Sequence, residues 1–386
     1  MCSLNFCGFS LFNRYQSSVV NESKNDAKSP NTSGEIYNNT SIVSSSEDKK
    51  VCIKDFTFIK LLGKGTFGKI ILAEKNGTEK VFAIKILKKD HLIQGVDIDY
   101  IMREKRILTR FSKHIFLATF YASFQTPNSL FFVMEFVSGG NLLFHLQKTG
   151  KFNEVRAAFY AAEIVIALQF LHSHGVIHRD LKLDNVLLDQ EGHCKLTDFG
   201  LSKDEIINGV LTSTYCGTPY YLAPEMLQEL EYDSSVDWWA LGVLMYIMMT
   251  NELPFGADSE NDLFELILQY DVFYPYCLSR NAVFILEGLM TKDPADRLGY
   301  SSSVPPIRGH AFFKHMDWEE LELRRIEPPI RPIVKSPKDT RNFDRNFTKY
   351  KVVMTTDEGV QSDCINQDKF DGFSYVDQNY VCSLQQ

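Results

Sequence analysis

The eight cysteines of this 386-residue chain, at positions 2, 7, 52, 194, 216, 277, 364 and 382, form no C-x-x-C pair and no finger-like spacing. This excludes a zinc module and a disulfide framework, and points to a reducing compartment. Long hydrophobic runs are equally scarce. The longest unbroken one, Trp238 to Met249, holds about a dozen residues, short of the roughly twenty that span a bilayer, and reads as a buried helix. The start, Met1-Cys2-Ser3-Leu4-Asn5-Phe6-Cys7, lacks the basic residues and apolar stretch of a signal peptide, and Cys2 stands where N-myristoylation needs glycine. A cytoplasmic location is expected, with acylation of Cys2 and Cys7 the route to peripheral membrane association; Asn-x-Ser/Thr triplets such as Asn21-Glu22-Ser23 are then without consequence. An excess of positive charge is missing too. Forty-one basic residues against 49 acidic ones give a net charge of −8, which repels nucleic acid and suits a basic peptide partner.

What is present is ample core material, 44% hydrophobic and 13% aromatic, enough for two or three domains. From about Asn13 to Lys50 the chain is dominated by Ser, Asn, Thr and charged residues and is expected to be disordered. From Phe56 the texture changes. Phe58 to Leu62, Ile70 to Leu72 and Val81 to Ile86 read as strands of an antiparallel meander, Asp97 to Phe111 as a helix, and Leu130 to Met134 as a buried strand. The result is a β-rich lobe with one helix. Beyond Ser138-Gly139-Gly140 the pattern is mainly helical, as in Phe159 to Leu168. After Phe313 an extended polar tail keeps isolated aromatics, Phe343, Phe347, Phe370, Phe373 and Tyr375, that suggest docking points. The expected class is α+β, divided into a disordered segment 1–54, a two-lobed domain 55–313 (lobes about 55–137 and 138–313) and a tail 314–386. A monomer is expected.

The chemistry concentrates in His178-Arg179-Asp180-Leu181-Lys182-Leu183-Asp184-Asn185 and in Asp198-Phe199-Gly200. Asp180 can accept a hydroxyl proton, Lys182 can neutralise a moving phosphoryl group, and Asn185 and Asp198 offer hard oxygen ligands for Mg²⁺. Upstream, Gly63, Gly65 and Gly68 lie between two strands, where missing side chains let backbone N–H groups approach phosphate oxygens. A strand rather than a helix follows, which argues against a dinucleotide fold. These segments resemble the catalytic, metal and glycine-rich loops of eukaryotic protein kinases, with Lys85 as the phosphate-binding lysine. Lys85 needs an acidic partner, and Glu104, central in the helical stretch, is preferred to Asp97 and Asp99. Met134-Glu135-Phe136-Val137 is expected to be the hinge that reads adenine, with Ile70 and Ala83 covering its face, and Glu225 and Arg297 to form a buried ion pair.

From Phe56 to Tyr380 the chain resembles the catalytic region of AGC-group serine/threonine kinases, most like novel-type protein kinase C. Glu191 to Leu196, Ser235 to Tyr246 and Phe370-Asp371-Gly372-Phe373-Ser374-Tyr375 carry the resemblance. It implies a two-lobed kinase fold using ATP and Mg²⁺, with a C-terminal tail that completes the nucleotide pocket at Asn342-Phe343-Asp344 and Phe347. It further implies phosphorylation of Thr214 by an upstream kinase, with contacts to Arg179 and Lys203, and of Thr355 and Ser374 in the tail, Thr356 being a substitute for Thr355. Asp184 and Gly217-Thr218-Pro219 become the peptide platform. Leu201, directly after Gly200, implies serine over threonine as acceptor.

Three departures stand out. Asn141 and Ile247 occupy positions where relatives carry acids that read substrate arginines, and Tyr220 replaces a usual Asp. Asp184, Asp258, Glu260 and Asp262 keep a basic-substrate preference in place. The residues before Phe56 encode neither a zinc-binding diacylglycerol sensor nor a calcium-binding sandwich, so control by those ligands is not expected. The competing expectation is a scaffold that keeps the fold without turnover; intact Lys85, Asp180, Asn185 and Asp198 oppose it. A small-molecule phosphotransferase is opposed by Gly217-Thr218-Pro219 and Ala223-Pro224-Glu225.

Overall fold

The computed structural model describes residues 51–65, 68–95, 98–206, 210–300, 306–350, 352, 365–378 and 380. The segment expected to be disordered, apart from its last residues, and the sites Thr355 and Thr356 lie outside them. The meander is there: β1 (Phe56–Lys64), β2 (Gly68–Lys75) and β3 (Val81–Lys88) pair antiparallel in sequence. β5 (Ser129–Glu135) pairs with β3, β4 (Phe120–Gln125) with β5, and β8 (Tyr375–Val376) with β4, making one six-stranded sheet. Period-two alternation sorts its faces. Ile71, Ala73, Phe82, Ile84, Ile86, Phe131 and Val133 pack together, while Leu72 and Ala83 turn the other way toward Leu62.

Two helices, not one, cover this sheet: α1 (Lys89–Gly95) and α2 (Ile98–Phe111). α1 begins with Lys89-Asp90-His91, a polar run that hides its helical character in the sequence. In α2 the buried residues Tyr100, Ile101, Glu104, Ile107 and Leu108 recur at helical spacing. Glu104 is thus a carboxylate set in an apolar stripe, a placement that needs a cationic partner.

The helical lobe is built from α3 (Leu142–Thr149), α4 (Glu154–Ser173), α5 (Pro224–Leu227), α6 (Ser235–Thr250), α7 (Glu260–Gln269) and α8 (Arg280–Leu289). Asn141, Asn153, Ser259 and Ser279 cap four of these by accepting a backbone N–H in the first turn. α4 is long and apolar enough to cross a membrane by length and composition, but Ala157 to Leu168 are buried inside the protein. α6 is buried from Ser235 to Met249, so the apolar run seen in the sequence is a central core helix. A short hairpin, β6 (Val186–Leu188) with β7 (Cys194–Leu196), lies where the two lobes meet.

Arg297 and Glu225 form the expected buried pair, at 2.6 and 2.9 Å. The guanidinium also donates to the carbonyls of Thr291, Ser235 and Lys292 and lies over the Trp239 ring. A charge this deep is tolerated because its donors are used.

The tail is less extended than its composition suggests. It contains α9 (Trp318–Glu322) and α10 (Arg345–Thr348), and it ends as β8 on the sheet edge. Phe370 and Phe373 are fully buried, the Ser123 hydroxyl donates to Phe373 O at 2.6 Å, and Phe343 stacks on Phe136.

Arg297→Met strands a buried Glu225 carboxylate. We expect it to lower the free energy of unfolding by about 3–5 kcal/mol, read by denaturant titration followed by circular dichroism; a change under about 1 kcal/mol would contradict the pairing argument.

Candidate active site

The cleft between the lobes collects charge from four separate elements. Lys85, on β3, reaches Glu104 on α2 at 2.7 Å and Asp198, just past β7, at 3.1 Å. Asp97 lies outside the described residues, and Glu104 rather than Asp99 holds the lysine. Burial alone would depress the Lys85 ammonium, but the neighbouring Asp198 and Glu104 carboxylates outweigh it and raise it. Lys85 in turn holds Asp198 well below the ordinary carboxylate range, at about 2. Burial pushes Glu104 up against the pull of Lys85. Gly200 leaves room for this cluster: a Cβ there would stand 3.3 Å from Asp198 Oδ1.

Asp180 sits at the centre of a second cluster. Its carboxylate accepts from Lys182 Nζ at 2.8 and 3.1 Å, from Asn185 Nδ2 at 2.9 Å and from the Thr218 hydroxyl at 2.8 Å. Asn185 Nδ2 also donates to the Asp180 carbonyl, so its amide oxygen is turned the other way and remains available as a hard ligand. Burial would lower Lys182, but Asp180 holds it protonated above its usual value.

Anchoring comes from a residue that local spacing did not single out. Asp237, in the first turn of α6, accepts the backbone N–H of His178 and of Arg179 at 2.9 Å each, and hydrogen-bonds His172 at 2.8 Å. The loop it holds is strained: Arg179 adopts a left-handed φ of 64°, and Asp198, on the loop after β7, one of 60°. Such conformations cost roughly 1–3 kcal/mol each for non-glycine residues and persist only where surroundings impose them. Thr218, expected in the peptide platform, contributes its hydroxyl to Asp180 as well. Both contacts link segments far apart in sequence, and the signal available for Asp237 was only an acid inside an otherwise apolar run.

The glycine-rich turn lies above. Gly65 N donates to Gly68 O at 2.9 Å, and a Cβ on Gly68 would meet Ile86 O at 2.0 Å, so only glycine fits there. A Cβ on Gly63 or Gly65 would meet nothing within 4 Å, leaving the turn open toward the cleft. Thr66 and Phe67 lie outside the described residues. Ala83, Leu62 and Leu72 form a small apolar group with Phe136 and Phe343, beside the hinge residues Met134, Glu135 and Val137. Ile70 is more than a third exposed. Asn342 fixes the tail here, donating to Ser138 O at 3.1 Å, and Gly140 leaves space for its backbone.

Where the peptide platform is expected, Asn141 is spent as a helix cap, accepting from Phe144 N and donating to Asp184 O. Ile247 is buried in α6 and Tyr220 is half-buried. Burial raises the Asp184 carboxyl. Glu260 opens α7, close enough to Tyr215 to influence its phenol. Thr214 is half-buried, and its carbonyl accepts from Tyr232. Arg179 donates to Leu201 O and Tyr232, with Nη2 buried and unpaired, and Lys203 is depressed by burial and by Arg103 and Arg179. Ser374 is exposed beside buried Phe373.

Residues 56–313 match the family described as protein kinase domain, and residues 334–375 the protein kinase C terminal domain. The chain is 58% identical over 331 residues to protein kinase C of Drosophila melanogaster, covering 86% of this chain and 45% of that protein. It is 54% identical over 337 residues to the epsilon type of Oryctolagus cuniculus, covering 86% and 46%. It is 53% identical over 326 residues to the eta type of Homo sapiens, covering 84% and 48%. The chain thus spans about half the length of the curated relatives it matches.

The depressed Asp198 contributes stability above its ordinary value of 3.8 that is lost as pH falls through about 2, whereas the raised Lys85 contributes below 10.5 and fades only above it. The pair therefore stays charged throughout pH 5 to 9. Lys85→Met removes the main cause, so Asp198 should titrate higher by about one to three pH units. Carbon NMR of the labelled carboxyl reads this; an unmoved Asp198 refutes the assignment.

Proposed function

The chain belongs to the protein kinase family, and from that premise we propose that it is an active serine/threonine kinase of the AGC, protein kinase C-like type. It transfers the γ-phosphoryl group of ATP to a protein hydroxyl. The observation that carries this reading is the pair of clusters around Lys85 and Asp180, near enough that Lys182 of one helps to depress Asp198 of the other.

In this reading Gly63, Gly65 and Gly68 cradle the phosphates with backbone N–H groups while Lys85, braced by Glu104, pairs with their oxygens. Adenine lies against Ala83 and Ile70 and is read by the backbone of Met134, Glu135 and Val137. Asn185 and Asp198 fit Mg²⁺, which supplies charge neutralisation on the phosphates. Among the described residues no group of three or more His, Cys, Asp or Glu side chains forms a metal cage. Two protein ligands suit an ion that keeps waters and substrate phosphates in its shell. The acceptor hydroxyl approaches Asp180, which orients it and takes its proton. A new oxygen–phosphorus bond forms at the γ-phosphorus, the bond to the bridging oxygen breaks, and ADP leaves. Lys182 steadies the transferring group, and positioning with charge neutralisation carries the rate.

The substrate is an extended peptide on Asp184, Gly217, Thr218 and Pro219, basic around a serine acceptor, with threonine disfavoured by Leu201. Asp184 and Glu260 supply the negative side; Asn141 and Ile247 do not. Thr214 is the site of an upstream kinase, its phosphate meeting Arg179 and Lys203, and Ser374 and Thr355 are tail sites. The enzyme works as a monomer in the cytoplasm.

Asp198→Ala and Lys85→Met should each lower transfer from labelled ATP to a basic peptide by at least about a hundredfold, the equivalent of a few kcal/mol of transition-state stabilisation. Near-normal turnover of either at saturating Mg-ATP, with folding verified by circular dichroism, overturns these roles; an inert wild type overturns the enzyme reading in favour of a scaffold.

Thr214→Ala should retain only a small fraction of turnover, because the loop then lacks the charge that Arg179 and Lys203 await. Mass spectrometry showing fully active enzyme unmodified at Thr214 contradicts this.

A further inference from the structure

Six residues past Asp198, Asp204 makes a second side-chain contact between the segment it stands on and the small lobe. Its carboxylate accepts a bidentate pair from Arg106, Nε to Oδ2 at 2.6 Å and Nη2 to Oδ1 at 2.9 Å, and Arg103 Nε stands 3.5 Å from Oδ1. The carboxylate is only 8% exposed. Burial works to raise it, yet the two guanidiniums keep it below the ordinary carboxylate range, so it is an anion at neutral pH.

Its backbone is fixed on both sides to the large lobe. Lys203 and Ile177 exchange N–H···O bonds of 3.0 and 2.8 Å, and Ile206 N donates to Gly175 O at 3.0 Å. Glu205, next in the chain, takes a left-handed φ of 66°. Asp204 is therefore a rigid post, and what it holds is α2. Arg103 and Arg106 are three apart and share a helix face, while Glu104 is about 100° of helix rotation from Arg103. Bidentate guanidinium–carboxylate geometry is directional. Holding Arg106 thus sets the roll of α2, and the roll decides whether Glu104 faces Lys85. Resting on the kinase reading above, we propose that Asp204 is a positioning residue for phosphoryl transfer: it locks the roll of α2 from the large lobe and so maintains the Lys85–Glu104 pair.

The test compares full-length wild type, Asp204→Asn, Arg106→Met, the double variant and Asp204→Glu, matched for Thr214 phosphorylation by mass spectrometry. Steady-state kcat and KM for Mg-ATP are measured with a basic peptide, and Mg-ATP affinity by calorimetry. Losing one charge-assisted bidentate contact should lower kcat/KM for Mg-ATP roughly ten- to a hundredfold in Asp204→Asn. The double variant should fall no further than Asp204→Asn alone, which already removes the contacts to both Arg106 and Arg103, and Asp204→Glu should recover most of the loss. Asp204→Asn within about twofold of wild type in both kinetics and affinity, or losses that multiply in the double variant, overturns the proposal. A wild type without turnover would defeat the kinase reading instead, and Mg-ATP affinity across the same variants would still decide the role of Asp204.

Discussion

One ammonium shared by two carboxylates is the interaction on which the cleft depends. Lys85 lies between Glu104, which belongs to a helix, and Asp198, which belongs to the loop after the lobe-joining hairpin. Neither acid can move away without leaving the other elements misplaced, so sheet, helix and loop are brought to register by one charge. The count of charges then shapes what binds. Around the cleft stand two ammoniums, Lys85 and Lys182, and three carboxylates, Glu104, Asp198 and Asp180. An anionic group entering alone would add repulsion; one arriving with a divalent cation would remove the surplus negative charge.

The hydrophobic core reaches the chemistry through Asp237. α6 is buried almost to its end, so Asp237 is held by packing rather than by solvent-exposed contacts, and it exposes its carboxylate to three donors from the loop and from α4. A fully buried carboxylate without those donors would be costly. With them it fixes consecutive backbone N–H groups, which is what permits Arg179 to stay left-handed. Strain at Arg179 is thus offset by the apolar cluster into which α6 packs, and the orientation of Asp180 follows from how α6 packs.

Much of this was legible in the sequence, for identifiable reasons. The first strands declared themselves because β-branched and aromatic residues run between glycines, and Glu104 because it interrupts an apolar stripe. β4 did not: Phe120-Tyr121-Ala122-Ser123-Phe124-Gln125 carries small residues and no clean alternation, since it is sandwiched between β5 and the tail strand β8. α1 did not, because its first turn is polar. The hydroxyl of Thr218 on Asp180 and the carboxylate of Asp237 on the loop span 38 and 58 residues, and such pairings have no local periodicity to announce them. Asn141 read as a lost acid, and only the fold shows that its amide caps α3 instead.

The tail changes how the lobes must be regarded. Asn342 ties it to Ser138 beside the hinge, Phe343 stacks on Phe136, and Phe370 and Phe373 sink into the small lobe before β8 closes on β4. Lys89 shows how tightly the last part is seated. It is fully buried, donates to Gln125 and to Gln367 of the tail, and lies 4.5 Å from the Phe370 ring centre. Burial lowers it to about 8. An ammonium is placed so deeply only where its partners are held in place, and here two of the three, Gln367 and Phe370, belong to the tail. The small-lobe sheet is therefore completed by residues more than two hundred positions downstream. Its edge strand and the start of α1 share one set of contacts with the segment that also packs beside Ser138 and Phe136. The tail is thus part of the packing of the small lobe and not a cover laid over it.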